Sequence, residues 1–210
     1  MTAAQPQLPA RSLRKGERTA GRILDAAELV FAEKGYAGAS LRDVASAAGL
    51  RIPSLYNHFV SKEALYTAVL ERGIRPILEL LTAESTRKGA QRELLVARVV
   101  EFLAQHPNVP RLVQYEVLAG GPHLAPMLDR WFRLAFREAE TTIRGLPGAR
   151  RWSKEQIPLL VIALYHVVIG YFTLAPFYHG VMGTDLLADA AVRRQIRFLN
   201  ELIAALLPDA

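Results

Sequence analysis

The chain contains no cysteine. That excludes a disulfide framework, a thiolate nucleophile and any cysteine-ligated zinc site. It also lacks a glycine-rich phosphate loop, a nucleophile elbow and a His-Glu-x-x-His pair. His166 and His179 are not at the i, i+4 spacing that places two metal ligands on one helical face, and Glu101 and His106 are out of register as well. The expectation is therefore not an enzyme, and a protein without metal or cofactor. No apolar run of a secretory signal opens the chain, which together with the missing cysteine suits a reducing cytoplasm. Strand-like alternation with hairpin turns is missing, as is any repeat of fixed period.

What is present begins with apolar content and charge. Of the 210 residues, 51% are hydrophobic, enough for a sizeable core and too many for global disorder. The net charge of +6 suits a polyanionic partner. Arg11, Arg14, Lys15 and Arg18 cluster near the N-terminus, after Pro6 and Pro9 and without apolar periodicity. Residues 1–16 therefore read as a flexible basic tail, of the kind that reaches phosphates or a minor groove.

The most informative stretch runs from Ala39 to Phe59. Ser40 can cap a helix, and Asp43 stands at the returning position of a capping box. Leu41, Val44, Ala45 and Ala48 follow at i, i+3, i+4 and i+7, one apolar stripe at helical period. Gly49 comes where a helix ends best on a residue able to take positive φ. Leu50 can plug the corner, and Pro53 suits the first turn of a second helix. Leu55 and Phe59 are left to pack inward. Arg51, Ile52, Ser54, Tyr56, Asn57 and His58 fall on the less buried faces. Two short helices meeting at a glycine, with a polar and aromatic face on the second, are what a helix-turn-helix needs to enter the DNA major groove. Ile23, Leu24, Ala27, Val30 and Phe31 give a helix before it that Gly35 ends. Leu65, Ala68 and Val69 give an exit helix after Ser61.

The blocks Ile23-Leu-Asp-Ala-Ala-Glu-Leu-Val-Phe-Ala-Glu-Lys-Gly-Tyr36, Ser40-Leu-Arg-Asp-Val-Ala-Ser-Ala-Ala-Gly49, Leu55-Tyr-Asn-His-Phe59 and Ser61-Lys-Glu-Ala-Leu65 resemble the N-terminal domain of TetR-type (TetR/AcrR) transcriptional regulators. The resemblance covers about residues 18 to 72. It implies that Ser40, Tyr56 and Lys62 contact phosphates, and that Arg42, Ile52, Pro53, Ser54 and His58 match positions able to face bases or sugars. Many relatives carry Ser-Lys or Ser-Arg where this chain has Arg51-Ile52, a departure that implies a different operator preference and leaves Ile52 as a thymine-methyl reader. With Arg51 and Asn57 from the exposed faces, these ten residues form the candidate DNA-binding set.

Downstream, segments near 76–87, 91–105, 109–119, 123–145, 153–180 and 186–207 read as helical. The expected architecture is all-α: a tail over 1–16, a helix-turn-helix domain over 17–73, and a larger helical ligand-sensing and dimerisation domain over 74–210. From Ile157 to Phe177 no residue carries a formal charge, a length sufficient to span a bilayer, and Arg150, Arg151 and Lys154 flank it. Pro158, Pro176, His166 and Thr173 weigh against a span. A helix buried on most sides in a dimer gives the same pattern. With a DNA-binding domain upstream, a homodimer without membrane contact is expected, paired through the two last helices as the resemblance implies.

A dimer also suits operator reading, since two recognition helices about 34–36 Å apart meet successive major grooves. Aromatic and polar residues interleave in the sensing domain, and Tyr115, Trp131, His166 and Phe172 are the candidates for binding a mostly apolar effector. The resemblance implies repression of a palindromic operator, released by that small molecule. The alternative is a ligand-independent architectural DNA-binding protein.

Overall fold

The computed structural model describes residues 10–85, 92–125, 133, 137, 140–141, 143–145 and 147–208, and every regular element among them is helical, in keeping with the expected all-α class. In chain order these are α1 (Ala10–Gly38), α2 (Leu41–Ala47), α3 (Ile52–Tyr56), α4 (Lys62–Ser85), α5 (Arg92–Gln105), α6 (Asn108–Leu118), a 3-10 turn (Pro147–Arg151), α7 (Gln156–Met182) and α8 (Asp189–Leu206). Two compact units divide between Val69 and Leu70, a few residues before the border expected after residue 73.

Two boundaries differ from the sequence reading. α1 is already helical at Ala10, inside the stretch read as tail, because nothing after Pro9 stops a helix propagating backwards from its amphipathic half. The exit helix and the segment expected from residue 76 form one continuous helix with Pro76 inside it. An interior proline costs about 3 kcal/mol. Buried Leu70, Ile74 and Leu78 on its inner stripe, each contributing about 1.5–3 kcal/mol, offset that cost. Most of the helix expected at 123–145 lies outside the described residues.

In the first unit, Ile23, Ala26, Ala27, Val30 and Phe31 of α1 are buried together with Val44, Ala45 and Ala48 of α2, Leu55 of α3, and Leu65, Tyr66 and Val69 of α4. Alanines on both α1 and α2 let those helices approach closely. Gly35, at φ +66°, breaks α1 near its end as its sequence position suggests. Phe31, Tyr36 and Tyr66 pack ring on ring, with Tyr66 centred 4.8 Å from Phe31 and 4.9 Å from Tyr36.

The second unit has two apolar clusters. One gathers Val100, Leu103, Val109, Ile169, Phe172, Val192 and Leu199 from α5 to α8. The other joins Ile143, Ala149, Ile157, Leu160 and Leu207, with Trp152 against it. The Trp152 indole N–H donates to the Leu206 carbonyl at 3.0 Å. Gly148 permits this docking of the α8 end, since a Cβ there would lie 2.4 Å from the Pro208 carbonyl oxygen. Buried Glu116 organises the exit from α6. It accepts the backbone N–H groups of His123 and Leu124, both at 3.0 Å, and faces His123 Nδ1 at 3.1 Å.

Candidate nucleic-acid interface

Local chemistry fixes the helix-turn-helix. The Asp43 N–H donates to Ser40 Oγ at 3.2 Å, while the Ser40 N–H donates to Asp43 Oδ2 at 2.9 Å, the reciprocal capping box anticipated from the spacing. The Ser40 hydroxyl donates to the same oxygen at 2.6 Å, and Lys34 Nζ donates to Asp43 Oδ1 at 2.9 Å. These bonds, the Ser40 hydroxyl first and then the Lys34 ammonium, hold the Asp43 carboxyl down at about 2. The same carboxylate raises the Lys34 ammonium above its usual value. Ser40 is thus occupied as a cap: to donate to a phosphate its proton must leave Asp43.

Beyond α2, Gly49 takes φ +64°. The Gly49 N–H donates to the Ser46 carbonyl at 3.0 Å and the Leu50 N–H to Ala45 at 2.8 Å, the double bond of a Schellman motif. A residue the sequence did not single out completes the corner. Arg22 Nη2 in α1 donates to the Ala48 carbonyl at 2.7 Å, so a cation meets the negative end of α2. Only the fold brings together residues 26 apart, so no local pattern signals this brace.

α3 then presents its face. Leu55 is fully buried and anchors it, and Pro53 sits in its first turn. Arg42, Arg51, Pro53, Tyr56 and Asn57 are exposed, while Ile52, Ser54, His58 and Lys62 are half-buried. Tyr56 is 50% exposed, so it stands outside the core. Val60, at 82% exposed, extends the same segment and was not anticipated. Lys62 opens α4 behind Ser61, whose hydroxyl accepts the Ala64 N–H at 3.0 Å. Its amine lies 4.5 Å over the Tyr36 ring centre and 3.5 Å from the Ala37 carbonyl oxygen. An exposed face bearing two arginines, polar side chains and an outward tyrosine can meet phosphates and base edges together.

Residues 23–69 match the family described as bacterial regulatory proteins, tetR family. This chain carries a TetR-family DNA-binding domain. It is 27% identical to the HTH-type transcriptional regulator RutR of Escherichia coli (strain K12) over 183 residues, 86% of each chain. Over 107 residues it is 42% identical to the HTH-type transcriptional repressor KstR2 of Rhodococcus jostii (strain RHA1), covering 50% of this chain and 52% of that one. Its fold is similar to a TetR-like transcriptional regulator from Rhodococcus sp. RHA1, with TM-score 0.62, 20% identity, and coverage of 97% of this chain and 100% of the other.

The effector candidates are not gathered in the same way. Phe172 is 1% exposed and packed into the central cluster of the second unit. Tyr115 and His166 are surface-exposed, and Trp131 lies outside the described residues. A cleft of about 100 Å³ in this unit is lined by Arg144, Ala149, Arg150, Trp152, Lys154 and Ile157, and includes neither Tyr115, His166 nor Phe172. Two other polar groups stand out. The Tyr165 hydroxyl and Asn200 Oδ1 are buried without a hydrogen-bond partner among the described residues, and burial raises the Tyr165 phenol above its usual range.

Proposed function

We propose that this regulator is a cytoplasmic homodimeric repressor. It binds a palindromic operator with α3 and its flanking residues, and a small, mostly apolar effector releases it. The single observation that carries the dimer is the outer face of α7. Leu159, Ile162, Leu174, Phe177, Val181 and Met182 are all exposed there, and Phe198 is exposed on α8. α7 is also long and apolar enough to cross a membrane. A soluble regulator needs that surface covered, and a second copy of the same face covers it in water without a bilayer.

On this reading Tyr56, Ser40 and Lys62 hold phosphates, whereas Arg42, Arg51, Ile52, Pro53, Ser54, Asn57 and His58 set register and base preference. Residues 17–73 supply DNA binding and 74–210 supply sensing and pairing. Among the described residues α4 is the helix that runs across the border of the two units, so an effector that favours a splayed dimer acts through it. Of the four effector candidates, His166 and Tyr115 are available at the surface. Tyr165 and Asn200 join them as buried polar groups with capacity to orient a ligand.

A thermal-shift screen of apolar small molecules, followed by operator titration, tests this reading. An effector raises the melting temperature and weakens operator binding roughly 5- to 150-fold, a coupling of about 1–3 kcal/mol. Tight binding that leaves operator affinity untouched refutes the release mechanism. A protein that no compound stabilises is the ligand-independent architectural binder.

A further inference from the structure

Lys62 occupies the first turn of α4, where the positive end of the helix dipole disfavours an ammonium group. Its amine nevertheless has two fixed partners on α1: the face of Tyr36, 4.5 Å to the ring centre, and the Ala37 carbonyl oxygen at 3.5 Å. The Tyr36 ring is not free to turn, because Tyr66 packs against it at 4.9 Å between centres. Tyr66 is itself fully buried and meets Phe31 edge-on. A flexible four-carbon stem is thereby held over one ring that the core immobilises.

We propose that Tyr36 is a positioning residue for DNA binding: its ring holds the Lys62 ammonium in one place at the α1–α4 junction, and Lys62 meets the phosphate from there. This rests on the reading of Lys62 as a phosphate contact. A lysine side chain loses considerable rotamer freedom when it docks. Pre-ordering by the ring removes part of that loss before DNA arrives, as preorganisation does at other interfaces. A ring face attracts a cation without consuming its N–H donors in directional bonds, so the donors not directed at the Ala37 carbonyl remain available to phosphate oxygens. Because Tyr66 belongs to α4, a shift of that helix moves the ring stack and the lysine together.

The test is a double-mutant cycle on the full chain, using a mixed-sequence DNA duplex of about three helical turns and a series of salt concentrations. Lys62→Met is expected to weaken binding several-fold and to flatten the salt dependence by about one counterion per protomer. Tyr36→Phe retains wild-type affinity because the ring remains. Tyr36→Leu weakens binding by less than Lys62→Met, since the ammonium remains but is no longer pre-ordered, and the double variant is no weaker than Lys62→Met alone.

Losses that multiply in the double variant overturn the proposal, since a purely structural Tyr36 acts whether or not the lysine is present. Lys62→Met with unchanged affinity and slope instead overturns the phosphate assignment itself. Where Tyr36→Leu fails to fold, fluorinated phenylalanines placed at position 36 keep the shape and drain the ring face of negative charge. Affinity then falls stepwise with fluorination if the clamp operates, and is flat if it does not.

Discussion

The two units of this regulator are stabilised at different length scales. In the first, helices as short as α3 are held by bonds between near neighbours: the Ser40–Asp43 box, the Gly49 corner and the Ser61 cap. Most of its apolar residues turn inward, and the exposed face around α3 carries Arg42, Arg51, Tyr56 and Asn57 beside Val60. In the second, α7 carries apolar side chains around much of its circumference and leaves several of the largest in solvent. On the proposed reading the first unit meets a polyanion, and the second, with apolar α7 side chains left in solvent, meets a copy of itself. The division of labour between reading DNA and controlling that reading follows from this difference.

The comparison breaks most completely at α7. Phe177→Glu or Leu174→Glu places a charge in the proposed pairing face, twice per dimer. Each buried aliphatic or aromatic side chain is worth about 1.5–3 kcal/mol. Sedimentation is therefore expected to show a monomer at concentrations where the wild type is dimeric, with operator affinity falling more than 100-fold. A variant that remains dimeric removes this face from the interface.

Glu116→Ala comes next, and it acts within the second unit. It deprives the buried Leu124 N–H, the part-buried His123 N–H and the His123 ring of their acceptor, at a cost of about 2–3 kcal/mol. Denaturant unfolding measures the loss. A change below about 0.5 kcal/mol contradicts the role given to this carboxylate.

Arg22→Ala sharpens the comparison in the first unit. Without the brace on Ala48 the corner loosens, and operator affinity is expected to fall about tenfold while base preference stays unchanged. Altered preference among operators, in a binding-selection assay, makes Arg22 a reader rather than a brace. Tyr165→Phe has a smaller effect of opposite sign. Removing a buried hydroxyl that has no partner among the described residues raises stability by about 1 kcal/mol, and weakens any effector that uses the hydroxyl.

The smallest effect is on pH. The folded Asp43 carboxyl titrates at about 2, below its ordinary 3.8. A depressed carboxylate stabilises the fold above the ordinary value, and that contribution disappears as pH falls through 2. Protection of the α2 amides, relative to their intrinsic exchange rates at each pH, is therefore constant from neutral pH to about 4 and falls below it. The side-chain carbon shift of Asp43 locates the midpoint.

Legibility follows the same length scales. Capping box, corner glycine, buried Leu55 and outward Tyr56 are relations of a few residues, and the sequence carries them openly. The Arg22 brace and the seat of Lys62 on Tyr36 link residues 26 apart, and depend on how α1 folds back. In the second unit, Phe172 and His166 have the same periodic credentials, yet one is core and the other surface. On a helix apolar all round, periodicity cannot choose a buried side. Glu116 reads as an ordinary helix charge until the turn at His123 and Leu124 wraps onto it.

Selection of genomic fragments by the purified full chain, with affinity for the enriched sequence followed against salt, tests the central claim most directly. The account predicts a palindrome whose half-sites lie about one helical turn apart, bound by two protomers, with affinity falling steeply as salt rises. Salt-sensitive binding with no enriched motif would contradict it, leaving net charge rather than α3 as the source of DNA affinity.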